Sequence, residues 1–123
     1  MTSDCFLSIV SKDCARDELL VRARRKGDIE KIFPGAVVRR DVNADYLYRA
    51  PVKRALVEQA MAEEVRRINY PNFKNSVHED DLHRAYLRVW MDMADLQPRK
   101  PFMSGATLFD NGLPKPKRGR KRR

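Results

Sequence analysis

Apolar and polar positions alternate along the first half of the chain, and the second half shifts to a helical period. Residues 5–11, Cys-Phe-Leu-Ser-Ile-Val-Ser, are rich in β-formers and predict a first strand. Residues 12–18 are polar and include Asp13, Asp17 and Glu18, which predicts a loop. In 19–25, Val21 and Ala23 alternate with Arg22 and Arg24, so a second strand has one apolar and one cationic face. Gly27 opens a short helix from Asp28 to Phe33, with Ile29, Ile32 and Phe33 at helical spacing. Asp28 complements the helix dipole, and Pro34-Gly35 stops the helix. Residues 36–41 predict a third strand in which Val37 and Val38 precede Arg39 and Arg40. Asn43-Ala44-Asp45 is turn chemistry, and Tyr46 to Arg49 predicts a fourth strand that makes a hairpin with the third.

Pro51 suits the first turn of a long helix, where a missing N–H costs nothing. That helix is expected to reach about Ile68, burying Val52, Leu56, Ala60, Met61, Val65 and Ile68. Residues 69–75 predict a structured loop. Ser76 then reads as an N-cap, with Glu79 completing a capping box, and Asp80 and Asp81 fall in the first turn. The last helix runs to about Leu96 with a buried stripe of Leu82, Ala85, Tyr86, Val89, Trp90 and Met93. The element order β-β-α-β-β-α-α predicts an α+β fold, a small antiparallel sheet with helices packed on one face. Residues 1–97 are expected to form this single domain. From Pro98 the periodicity ends in a proline- and glycine-containing stretch, so 98–123 predict a linker and a disordered basic tail.

Charge divides the chain in the same place. Of its 123 residues 26 are Lys or Arg and 17 are Asp or Glu, a net charge of +9. Seven of the cations are Lys115, Lys117, Arg118, Arg120, Lys121, Arg122 and Arg123, so residues 1–114 carry only +2. The longest apolar runs are short, as in 35–38, where a membrane span needs about 20 residues, so none is expected. The N-terminus lacks the pattern of a secretory signal. Cys5 and Cys14 are therefore expected to be reduced thiols of a cytoplasmic protein.

The run from Ile68 to Val77 (Ile-Asn-Tyr-Pro-Asn-Phe-Lys-Asn-Ser-Val) and the run from His83 to Trp90 (His-Arg-Ala-Tyr-Leu-Arg-Val-Trp) resemble a small family of bacterial and phage proteins. The stretch from Leu20 to Pro34 is similar to the same family, and the resemblance spans roughly 6–96. It implies a bacterial or phage setting and a cytoplasmic protein, and it brings no catalytic residues to carry over. The segment Arg118-Gly119-Arg120 resembles the core of an AT-hook, with Lys121 where the AT-hook has proline.

A dense cationic arm gains affinity for phosphates through counterion release without reading bases. The tail is thus expected to bind DNA or RNA non-specifically. The same charge density also suits anionic lipid, an acidic protein or simple solubility. Arg22, Arg24, Arg39 and Arg40, with Arg25 and Lys26 beside them, come from two strands that could be neighbours, and together they would form a cationic face of the sheet. The other reading is a solvated face partnered by Asp17, Glu18, Asp41 and Asp45. Tyr70, Phe73 and Lys74 offer either a stacking platform or, the favoured reading, aromatic anchors for the inter-helix loop.

His78 and His83 are five residues apart and lie on different helix faces, so no metal site is expected there. No nucleotide-binding, zinc-protease or zinc-ribbon pattern occurs, no cofactor is expected, and no catalytic set is evident. The expectation is a non-enzymatic, phage or mobile-element type accessory protein associating with nucleic acid. The alternative is an anti-CRISPR-like inhibitor of a host system, or an adaptor, acting by contact with a host protein or nucleoprotein complex. A third reading is an enzyme built on the carboxylates and phenols of Asp41, Asp45, Tyr46 and Tyr48.

Overall fold

The computed structural model describes residues 1–98. The tail residues Lys115, Lys117, Arg118, Arg120, Lys121, Arg122 and Arg123 lie outside the described residues. The elements follow the expected order: β1 (Leu7–Val10), β2 (Glu18–Ala23), α1 (Asp28–Ile32), β3 (Arg39–Arg40), β4 (Tyr48–Lys53), α2 (Arg54–Arg66) and α3 (Asp80–Ala94). The four strands form an antiparallel sheet in the order β1-β2-β4-β3. The fold is α+β.

Alternation in β2 sets the core. Val21 and Ala23 are fully buried, and the register places Ile9 and Ala50 beside Val21, and Leu7 and Tyr48 beside Ala23. Ile29 and Phe33 from the α1 segment and Val57 from α2 close over this face. The opposite face carries Ser8, Arg22 and Arg49 in one row and Val10, Leu20 and Pro51 in the next. Leu20 is fully buried although it shares the face of the arginines.

Gly27, at φ 91°, makes the left-handed turn from β2 into α1, a conformation that costs an L-residue about 1–2 kcal/mol. Asp28 follows at the first position of α1 and is almost fully buried. Its carboxylate accepts from Arg25 Nε and Nη2, both at 3.2 Å, and faces Lys31 Nζ at 3.4 Å. Arg25 also pairs with Glu79, just before α3, which ties the β2–α1 turn to a segment 54 positions away. This pairing holds the Glu79 carboxyl below its ordinary range, chiefly through the hydrogen bond from Arg25.

Several expected details change. Pro51 does not open a helix: β4 runs through it to Lys53, and α2 begins at Arg54. The inward side of α2 is Val57 with half-buried Ala60 and Glu64, so Leu56, Met61, Val65 and Ile68 are exposed. The inward face keeps Ala60 but is narrower than the expected stripe, whose margins at Leu56 and Val65 fall outside it. Ser76 caps no α-helix. It closes a 3-10 turn (Lys74–Ser76), donates to Phe73 O at 2.6 Å and meets Ser3 Oγ at 2.6 Å. Glu79 is engaged by Arg25, so no capping box forms.

Met1–Tyr86 is one compact unit, and the chain from Leu87 on falls in a second. In the first, Leu82 and Tyr86 are buried with Val77 against Phe6 and Phe73. Tyr70 and Phe73 lie 5.9 Å apart, and Phe73 stacks on Tyr86 at 5.6 Å, which is the anchoring role expected of the loop aromatics. Of the remaining positions of the expected stripe, Ala85 is half-buried and Val89, Trp90 and Met93 are exposed.

Candidate functional site

Antiparallel pairing brings the strand arginines together. Arg22 on β2 sits opposite Arg49 on β4, and Arg49 sits opposite Arg39 on β3. The ladder fixes how close they come. Pro51 has no N–H to exchange, so its pair with Leu20 is of the non-hydrogen-bonded kind. Two residues along, the Arg22–Arg49 pair is of the same kind, which has the closer side chains. Like charges directly opposite one another destabilise a sheet. Three in a row across β2, β4 and β3 are an arrangement the fold does not need.

Each guanidinium has a distinct setting. Arg22 Nη2 donates to Ser8 Oγ at 2.6 Å, while its Nε is shielded from solvent with no hydrogen-bond partner among the described residues. Arg49 donates from Nε to Tyr46 O at 3.3 Å and lies 3.6 Å from Asp45 Oδ1; its side chain is 12% exposed. Arg24 is exposed and donates to Asp45 O at 2.9 Å. Tyr46 occupies the centre, with the guanidinium carbons of Arg22 and Arg24 at 4.6 and 4.2 Å from its ring centroid. Such cation–π contacts contribute about 0.5–1 kcal/mol each at exposed sites. The Arg39 side chain is exposed and makes no hydrogen bond or ion pair among the described residues.

The acids that a merely solvated face would use are engaged elsewhere. Asp17 pairs with Lys53 at 2.8 Å, which lowers its carboxyl pKa and raises that of the lysine, in both cases first through their hydrogen bond. Glu18 accepts from Ala15 N, and Asp41 accepts from Asn43 N. Asp45 is the acidic side chain paired with this cluster. The expected cationic face therefore exists with changed membership. Arg40 is corrected out of it: its register partner is Tyr48, on the core side of the sheet, because neighbouring residues of a strand point to opposite faces. Arg25 belongs to the Asp28–Glu79 network instead. Arg49 and Tyr46 are absent from the sequence-based face, since their membership depends on β4 lying between β2 and β3.

The thiols have unlike surroundings. Cys5 is fully buried beside Thr2 Oγ1 at 3.3 Å, and burial pushes its pKa up. Cys14 is partly exposed, and its Sγ donates to Glu18 O at 3.4 Å. A thiol reagent such as DTNB is expected to modify Cys14 in the native protein and Cys5 only as the chain unfolds. Equal rates for Cys5→Ser and Cys14→Ser variants would contradict this. Among the described residues no group of three His, Cys, Asp or Glu side chains could hold a metal ion.

A second surface is apolar. Leu7 and Ile9 of β1, Met61, Val65 and Ile68 of the α2 segment and Tyr70 border a groove of about 700 Å³. No described helix is long and apolar enough to cross a membrane. No protein-family model, curated protein or solved structure matches the chain.

Proposed function

We propose that the protein is a non-enzymatic, cytoplasmic accessory protein of phage or mobile-element type that associates with nucleic acid. The observation that carries this reading is the row of Arg22, Arg49 and Arg39 in register across three strands, with Arg24 beside it and Asp45 as its paired carboxylate. A phosphate backbone supplies the anions that would relieve this repulsion. The cations of 115–123 add a second, sequence-independent attraction by counterion release.

The full chain is expected to bind DNA or RNA with a steep dependence on salt. Truncation after Pro114 should weaken binding and flatten that dependence. The double substitution Arg24→Ala and Arg39→Ala should reduce the slope further, by about one for each cation that no longer meets a phosphate. Full-length and truncated chains binding equally weakly at low salt would sink the proposal. A second reading, a protein-binding inhibitor or adaptor, is favoured by the exposed Leu56, Met61, Val65 and Ile68. Nuclease-resistant recovery of a host protein would support it over the first.

A further inference from the structure

A clamp for the outside of a duplex needs cations alone, and this cluster contains more than cations. Its centre is a half-buried aromatic ring, Tyr46, with two planar guanidiniums within 4.6 Å of the ring centroid. Aromatic rings and guanidinium planes are the surfaces on which unpaired bases stack. Paired bases are already stacked on each other and offer only their edges.

Its rim carries Asp45, whose side chain is 69% exposed. A carboxylate there repels a phosphate, which makes it a poor component of a backbone clamp. It does accept hydrogen bonds from the amino groups of cytosine or adenine; a paired base offers it one amino hydrogen, at the floor of the major groove, whereas an unpaired base presents its whole Watson–Crick edge. Asp45 also orders the local turn, accepting from Tyr46 N at 2.8 Å through its side chain and from Arg24 through its carbonyl, so ring, cation and acceptor are held together. Neighbouring strands lie about 4.8 Å apart, so the row from Arg22 through Arg49 to Arg39 extends roughly 10 Å from this ring, room for flanking backbone.

We infer that this surface takes a single-stranded nucleic acid, with a base layered on the exposed Arg24 guanidinium that Tyr46 backs, and with Arg39 and Arg49 toward the adjoining phosphates. The inference rests on the nucleic-acid reading above and narrows its partner. Fluorescence anisotropy of the full chain with a labelled 12-nucleotide single strand, and with the duplex of the same sequence at the same salt, tests it. Tyr46→Leu is expected to weaken single-strand binding about five- to tenfold and to change duplex binding less than twofold. Tyr46→Phe and Tyr46→Trp, which keep a ring in place, should retain single-strand affinity.

Equal losses on both substrates, or unchanged single-strand affinity in a folded Tyr46→Leu variant, would overturn the inference and leave the nucleic-acid reading standing. If Tyr46→Leu does not fold, loss of single-strand preference in Tyr46→Phe overturns it equally. No binding of the full chain to either substrate at low salt overturns both readings. Competition by a mononucleotide as strong, per phosphate, as by the strand would replace the strand with a small ligand and overturn the inference too.

Discussion

Tyr86→Ala is expected to destabilise the protein by about 3–5 kcal/mol, the range for deleting a buried aromatic side chain. Tyr86 is 4% exposed, and it does two jobs. Its ring stacks on Phe73 and packs with Val77 and Leu82. Its hydroxyl donates to Cys5 O at 2.7 Å and lies 3.0 Å from Thr2 O, so it pins the N-terminal segment from more than 80 positions away. Burial raises the phenol's pKa, which keeps it a donor throughout the stable range of pH. Tyr86→Phe separates the two jobs. Thr2 Oγ1 also reaches Cys5 O, at 3.1 Å, so that carbonyl keeps a partner, and the loss should be only about 1 kcal/mol. Urea unfolding followed by circular dichroism gives both values. A Tyr86→Ala loss below about 1 kcal/mol would show that the cluster around it is dispensable. Released from Tyr86, Cys5 should also become reactive in the otherwise native chain.

Asp28→Ala is expected to cost about 2–3 kcal/mol. Removing one member of a buried ion pair typically costs about 3–5 kcal/mol, because the partner charge is left uncompensated. Here the partners are only half sheltered, and Arg25 retains Glu79, which lowers the figure. The carboxylate also lies in the first turn of α1, where it complements the helix dipole by about 0.3–1 kcal/mol. Glu79→Gln removes an exposed, solvent-screened partner of the same arginine and should cost clearly less than Asp28→Ala. Equal effects of the two substitutions in thermal melts would mean that Asp28's burial adds nothing.

Which parts of this molecule the sequence could reveal follows from the range of each interaction. The β2 alternation of Val21 and Ala23 with Arg22 and Arg24 is local, and it correctly separates core from outer face. The element order is legible for the same reason: each period change lies within one segment. Pro51 misleads because a proline's tolerance in a strand depends on which side its nitrogen faces, and that is a property of two strands together. Leu56, Met61, Val65 and Ile68 make as good a helical stripe on paper as the positions that turn inward. Glu79 has the spacing of a capping box, yet Arg25 claims it across 54 positions, a competition no short window contains. Likewise Arg49 looks like the end of a strand until β4 is set between β2 and β3. The arginine row is therefore half local pattern and half topology.

Pro51 has one further consequence, for how the molecule meets copies of itself. β3 pairs only with Tyr48 and Arg49, so it does not cover the second half of β4. An uncovered strand margin of this kind is a template on which a foreign strand can add, and chains that leave one open are prone to sheet-to-sheet aggregation. Since Pro51 sits in a non-hydrogen-bonded pair with Leu20, its nitrogen faces that margin and offers no donor there. The residue that hides the start of α2 from a reader of the sequence thus removes a donor from this stretch of β4 and makes it a poorer template for a foreign strand.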